Sequence, residues 1–445
     1  MRNRLRILYF LQFGIWGCYL TSLGQFLGTG GLGPYIAWFY AAIGIVSLIT
    51  PAWFGHLADK YIRPRRLLTF CYFGSGIVML GAFAYSLTHP ALDFGTFYTL
   101  YLLFLALYMP TMALSNTVAF GLLDSKGVKP VDAFPAIRVW GTVGFIAAMW
   151  FVNSTYCDGG VLGWTLNDTH PLAMQRFQYN GGQLCCSGII AIVTGIYSLL
   201  LPVQRQLRET PSHQGRFEGI ASFFKIPSLK IFLIFAVFAG VCLQISNGYV
   251  TPFITHFIGE TQFTGTFAAA NATMLFSISQ IAEALLILTV GVTLKRFGIK
   301  WIFGIGLAAW SLRFLLLGLG NPGDGLWMLV LSMIVYGVGF NFITIAGHLY
   351  IDSQSPADKK GFGQGAMMLM SNGIGATVGT FCAGEIINHW CRWEMVDMAT
   401  GAPTRLFMGD WLVPWLIFAA YTLLVLVAWV AIMPGMRWRQ NCQQK

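Results

Sequence analysis

The sequence predicts an all-α membrane protein of twelve transmembrane helices in two six-helix halves, on three observations. Of 445 residues, 56% are hydrophobic and only 10% are charged. A soluble globular chain is roughly a quarter charged, so there are too few charges here to coat a water-facing surface. The 51 glycines and 17 prolines are spread through apolar runs, as is common in membrane helices. Runs long enough to cross a bilayer, about 20 residues each, recur twelve times. An ordinary soluble enzyme is excluded, as is a disordered or fibrous chain. The formal charge of +10 does not point to nucleic acid. Its basic residues stand in short breaks between apolar runs, not on one face of a folded domain.

The runs begin near Leu5, Ile36, Leu67, Thr99, Phe134, Gly181, Ile231, Ala272, Lys300, Leu326, Gln364 and Trp411. The first is too long for a removable signal peptide and lacks a small-residue cleavage site, so it is read as a span. The twelve leave room for loops but for no soluble domain. Residues 202–230 are the longest polar, basic break and contain Pro211 and Pro227. They are expected to form a cytoplasmic linker between an N-terminal half, 1–201, and a C-terminal half, 231–445, that ends in a short tail.

Orientation follows from Lys and Arg. With the amino terminus in the cytoplasm, 22 of the 27 fall in inside segments and three, Arg176, Arg392 and Arg405, fall outside. Such asymmetry places both termini in the cytoplasm, in a multi-pass protein of the inner (plasma) membrane. Most cysteines lie in or beside spans, where they pack as small hydrophobes. Cys157 and Cys391 fall in the two long outside loops, where a disulfide can form. No Cys/His spacing indicates a metal.

Residues 55–66, GHLADKYIRPRR, are echoed by GVTLKRFGIKW at 291–301, each after the second run of its half. The first segment resembles the loop motif of the major facilitator superfamily. The resemblance implies the major facilitator fold. It also implies a gating role for Asp59 and Arg63, clamping neighbouring helices at the cytoplasmic side in one conformation. Read without it, the segment is a topogenic basic turn.

Two six-helix halves with a site near the midplane are the pattern of a rocking secondary transporter, so polar groups at mid-depth are the functional candidates. A charge there costs around 2.5–3.5 kcal/mol on insertion scales. Glu283 is the only carboxylate near the middle of a run, and Gln280 three residues earlier shares its helical face. Such a carboxyl can load and release a proton; a tether to a neighbouring helix is the alternative. Arg138 forms a stripe with Thr142 and Phe145, and its fixed donors suit a polar ligand unless it snorkels to the interface. Gln244 and Asn247 repeat at helical spacing, with Gly248 and Pro252 expected to loosen their helix. Asn341 stands between Phe340 and Phe342. Amides beside aromatic faces suit a flat heterocycle bearing hydroxyls: rings stack and amides read polar edges.

Other residues read as structural. Arg313 is expected to tether helices, and His348 with Asp352 to form a helix-end pair. Glu385 is expected to snorkel at an outer end. Asn116 fits either a cavity wall or a helix tether. The glycines of GFGQGAMMLMSNGIGATVG suit close helix packing better than phosphate binding, since no strand precedes them.

The segments FLQFGIWGCYLTSLG, YMPTMALSN, FPAIRVWGTVGFIAAMW, LQISNGYVTPF, FSISQIAEALLIL, KRFGIKW, LSMIVYGVGFNF and GQGAMMLMSNGIGA together resemble the nucleoside:proton symporter family, bacterial nucleoside permeases of the major facilitator superfamily. The resemblance spans almost the whole chain. It implies a nucleoside held between the halves by Arg138, Thr142, Phe145, Gln244, Asn247, Gln280, Glu283 and Phe340. It further implies import by alternating access, energised by the proton gradient, with no cofactor. The partners expected are a nucleoside, a proton and the lipid bilayer, with no nucleic acid, and the working unit is a monomer. Asn341 is a departure: the permeases usually carry an aspartate there, implicated in proton coupling. Asparagine keeps the hydrogen-bonding capacity but does not titrate, so coupling would rest on Glu283. The rival readings are a sugar or glycoside symporter, a nucleoside uniporter and a ligand-binding membrane sensor. A sensor needs an output domain, and a channel needs a continuous polar pore. An intramembrane enzyme needs a catalytic constellation at helical spacing, which the sequence does not contain.

Overall fold

A computed structural model describes residues 1–128, 130–167, 169–202, 226–354, 360–397 and 403–433. The expected linker therefore lies outside the described residues from 203 to 225. Helices α1 (Arg2–Gly17), α2 (Leu23–Thr29), α3 (Ile36–Lys60), α4 (Pro64–Thr88), α5 (Phe94–Asp124), α6 (Pro130–Ser154) and α7 (Gly182–Leu199) come first. They are followed by α8 (Pro227–His256), α9 (Ala272–Leu319), α10 (Leu326–Phe340), α11 (Ala346–Gln354), α12 (Lys360–Met368), α13 (Ala376–Trp390) and α14 (Leu412–Ile432). Local chemistry sets several starts. Pro64 opens α4, where its missing N–H and fixed φ cost nothing. The Asp93 carboxylate accepts from Thr96 N at 2.8 Å and caps α5; that bond holds it below the usual carboxylate range.

Among the described residues, ten helical stretches are long and apolar enough to cross a membrane. The runs expected at Leu5 and Ala272 fall on shorter pieces. Helix α1 has 16 residues, including Arg2, Arg4 and Arg6 in its first turns. The other piece is Ala272–Ile287, the first part of α9. The α9 stretch is not one rod: Gly298, at φ 73° and ψ 168°, breaks it. A residue with a Cβ resists that conformation. Large apolar side chains such as Ile77, Leu87, Leu424 and Val427 point out of the fold, as helices bathed in lipid require. The chain is a multi-pass membrane protein.

Two departures from an all-α chain lie outside the spans. Strand β1 (Thr155–Asp158) pairs antiparallel with β2 (Val161–Trp164), with Thr155 opposite Trp164. Their turn is Gly159-Gly160 at φ 54° and 85°, the doubly positive geometry that matches strand twist. Strand β3 (Cys391–Asp397) pairs with β4 (Pro403–Gly409). Cys157 is exposed and Cys391 buried, and both are free thiols, so the disulfide considered between the outer loops is not formed. Burial, with Asp410 adding to it, pushes the Cys391 thiol up to about 12.

The chain forms two compact units. The first comprises residues 1–210, 247–277 and 392–408. Within it α1 lies along α6 and α7, α4 along α5 and α7, and α3 along α5. The α1–α6 contact is backbone on backbone: a Cβ at Gly144 would collide with the Phe10 carbonyl, and one at Gly17 with the Phe145 main chain. Small residues at such crossings let membrane helices gain dispersion contacts without a hydrophobic driving force. The second unit comprises residues 211–246, 278–391 and 409–445. Its interior includes Phe232, Phe303 and Trp429 in mutual ring contact, with Trp429 Nε1 donating to Lys300 O at 2.7 Å. In both units buried hydroxyls donate back along their own helices, Thr194 to Ile190 O at 2.6 Å and Ser332 to Leu329 O at 2.6 Å.

The α1–α6 crossing makes a paired prediction. Gly144→Ala should lower the melting temperature in detergent by several degrees, through overpacking of about 1–3 kcal/mol. Gly81→Ala on α4, where a Cβ meets nothing within 4 Å, should be neutral or stabilising by up to about 1 kcal/mol. Differential scanning fluorimetry of both variants checks it.

Candidate functional site

In the first unit the stripe read from the sequence lies on α6. The Arg138 guanidinium carbon sits 3.8 Å from the centre of the Phe13 ring of α1. An aromatic face there supplies attraction to the cation without neutralising it. Thr142 is half-buried, one turn on, and Phe145 is buried where its backbone meets Gly17. Asn247, on α8, is buried. That helix does not loosen: α8 runs unbroken from Pro227 to His256 with Pro252 inside it. Gly24 of α2 gives the room here, since a Cβ on it would stand 2.5 Å from the Gly248 carbonyl, while a Cβ on Gly248 would stand 3.2 Å from the Tyr40 ring. The helix distortions fall elsewhere, at Asn341–Ile345 and Leu369–Gly375, which wind as π-helix. Insertions of this kind often mark functional sites.

In the second unit Gln244 is buried, whereas Gln280 and Glu283 on α9 are half-buried. Phe340 is half-buried and stacks on Tyr336 with ring centres 5.8 Å apart and planes 11° from parallel. Tyr336 has Gln280 as a hydrogen-bonding neighbour and feels the charge of Glu283, which makes it a further polar group at this face. Sequence reading passed over it by following charges and amides, although its place one turn before Phe340 was a usable signal. Helix α10 presses on α9 here: a Cβ at Gly337 would lie 2.6 Å from the Ala282 carbonyl carbon and 2.8 Å from Glu283 N.

Asn341 completes this junction. It is fully buried, and its Nδ2 donates to Glu283 O and to Gly337 O, each at 2.9 Å. Both neighbours are carbonyls, so the amide orientation is fixed by its partners. Its Oδ1 has no hydrogen-bond partner among the described residues. An ionised aspartate could make neither bond, because it has no proton to donate. Asparagine thus holds the α9 main chain at Glu283 in the way a protonated carboxyl would.

The remaining candidates are placed as follows. Arg63 is exposed just before α4, and the side chain of Asp59 lies outside the described residues. Asn116 accepts from Tyr9 OH at 2.5 Å, a link from α5 to α1. His348 meets Gln364: its Nδ1 lies 2.6 Å from Gln364 Oε1, and Gln364 Nε2 donates to His348 O at 2.9 Å. That two-way bond to α12 satisfies ring and backbone together. The side chain of Asp352 lies outside the described residues. Glu385 is exposed, and Arg313 is fully buried.

A polar cluster in the first unit was not legible at all. Arg176, read as an outside-loop charge, is completely buried. It donates to Ala173 O at 2.9 Å, Asn271 Oδ1 at 3.0 Å and Ala270 O at 2.7 Å. Asn153 Nδ2 donates to the same Asn271 oxygen at 2.7 Å. Thr273 Oγ1 donates to Gln178 Oε1 at 2.9 Å, and Trp150 Nε1 to Ser277 Oγ at 2.8 Å. Nearby in the same unit Trp393 of β3 stacks on Phe407 of β4 at 4.8 Å and lies against Gly28 and Gly33. The cluster ties residues before the expected linker to residues after it.

Comparison with known proteins follows the same lines. The nucleoside H+ symporter family model matches residues 1–437. The xanthosine permease of Escherichia coli (strain K12) is 34% identical over 431 residues, covering 95% of this chain and 94% of that protein. The nucleoside permease NupG of the same organism is 31% identical over 438 residues, covering 97% and 96%. A crystal structure of the nucleoside transporter NupG matches with a TM-score of 0.81 at 30% identity, covering 97% of this chain and all of that one.

The junction at Asn341 predicts a pH signature for Asn341→Asp. A carboxyl replaces one lost donor only while protonated, so the variant's melting temperature should fall as pH rises from about 5 to about 8, whereas the wild type gains no such slope from this position. Thermal melts across that range check it.

Proposed function

Because this chain belongs to the nucleoside H+ symporter family, we propose that it imports nucleosides through the inner membrane by proton symport, with twelve spans in two six-helix halves working by alternating access. Arg138, Gln244, Asn247, Gln280 and Asn341 hydrogen-bond the nucleoside, Thr142 lines its path, and Phe145 and Phe340 supply stacking faces. Glu283 carries the proton. It is the one acid at mid-span, and it stays half-open while its own main-chain carbonyl is held by Asn341. That combination of a fixed backbone and an accessible carboxyl is the observation that carries the reading. The gradient supplies the energy and no cofactor takes part. Both termini face the cytoplasm, and the monomer is the working unit.

Asn341 gives weight to one second reading. If the aspartate usual at that position is needed for coupling, this chain is a nucleoside uniporter. Proteoliposomes with an inside-alkaline gradient separate the two. We predict that the wild type concentrates labelled uridine, adenosine or xanthosine, while Glu283→Gln reaches only equilibrium and keeps counterflow exchange. Uphill uptake that survives in Glu283→Gln removes the proton role from that residue.

Alternating access also requires the buried cluster around Arg176 to part in each cycle, with Asp59 and Arg63 gating the cytoplasmic side. We predict that cysteines replacing Asn153 and Asn271, whose amides are 2.7 Å apart, cross-link under oxidation. The cross-link should stop uptake, and reductant should restore it. Full uptake by quantitatively cross-linked protein contradicts the gate.

A further inference from the structure

Arg313 is a cation entirely enclosed in the second unit, on the part of α9 that follows the Gly298 break. Its Nε donates to Ser246 Oγ at 3.0 Å. Its Nη1 donates to Ser332 O at 2.7 Å and to Ser279 Oγ at 3.4 Å. The guanidinium carbon lies 4.9 Å from the centre of the Tyr336 ring and 5.9 Å from the Trp310 ring. Those two rings meet edge to face at 5.6 Å.

The places it grips are not arbitrary along the sequence. Ser246 lies between Gln244 and Asn247 on α8. Ser279 adjoins Gln280 and precedes Glu283 by about one turn on α9. Ser332 precedes Tyr336 by about one turn on α10, and Tyr336 stacks on Phe340. One planar fork thus touches three helical segments, each at a residue beside a candidate ligand group. Burying a guanidinium costs several kcal/mol unless its donors are met. If helix tethering were all that was needed, apolar packing would serve at less cost. A rigid multi-donor fork fixes rotation and depth, which apolar contact does not.

We infer that Arg313 is the positioning residue of the substrate-binding face: it sets the rotation of the helices carrying Gln244 and Gln280 and holds the Tyr336 ring in place. It acts through those residues without touching substrate. The inference rests on the reading of this face as a nucleoside site.

The test uses the purified full-length chain and equilibrium binding of radiolabelled uridine, adenosine and xanthosine. Arg313→Lys keeps the charge and loses the fork. It should stay folded, with Kd weakened about tenfold for the nucleoside the wild type binds. Tyr336→Phe should weaken binding as well, and the double variant should be no weaker than the poorer single one, since both changes act on one unit. Ser279→Ala and Ser246→Ala, which leave the cation in place, should each raise Kd about two- to fivefold and keep the inference testable if Arg313→Lys misfolds. Wild-type Kd in the folded Arg313→Lys protein, in both serine variants, or additive losses in the double variant overturns the positioning role. Failure of the wild type to bind any of the three nucleosides overturns the functional reading beneath it, a separate and distinguishable result.

Discussion

No water is available in a bilayer core to receive a hydrogen bond, so every polar group placed there must find its partner inside the protein. This constraint sets the helices themselves, whose backbone groups are met within each segment. It sets the habit of the buried hydroxyls, which return to carbonyls three or four residues back, as Thr194 and Ser332 do. It also sorts the charges. Arg313, within a span, is fully enclosed, donates to oxygens of neutral groups and lies against the Tyr336 and Trp310 rings. Glu283 differs. Its main chain is held from α10, yet its side chain remains half-open. A half-open carboxyl can be reached by a proton and a ligand.

Asn341 shows how one atom pair changes such a site. Its two amide hydrogens both go to main-chain carbonyls, one on α9 and one on its own helix. An acid at this position could hold the same junction only in its protonated form, so its grip on Glu283 would follow pH. With asparagine the grip does not follow pH, and Glu283 is the residue on which the proposed coupling rests. The π-helical turn beginning at Asn341 places this junction where the regular helix already gives way.

Much of this was legible in the sequence because membrane helices obey strong local rules. A charge or amide inside an apolar run stands out, and helical spacing says which ones share a face. Arg138 with Thr142 and Phe145, and Gln280 with Glu283, were found in that way. What the sequence concealed depends on tertiary partners. Arg176 was counted only as a charge of an outside loop, because nothing local reveals that it donates to Ala270 and Asn271. Nothing local to His348 shows that Gln364 of another helix meets it. Pro252 and Gly248 suggested a loosened helix, whereas α8 keeps its helical course through both. The Gly298 break and both hairpins depend on positive φ or strand pairing outside the spans, where hydropathy is silent.

The central claim is that a nucleoside and a proton move together through Glu283. The most direct measurement is proton movement itself, followed with a pH-sensitive dye inside proteoliposomes that carry no imposed gradient. Adding uridine, adenosine or xanthosine outside should acidify the lumen at a rate that follows uptake, and Glu283→Gln should remove the signal. Nucleoside entry into wild-type vesicles with the lumenal pH unchanged would contradict the claim and establish a uniporter.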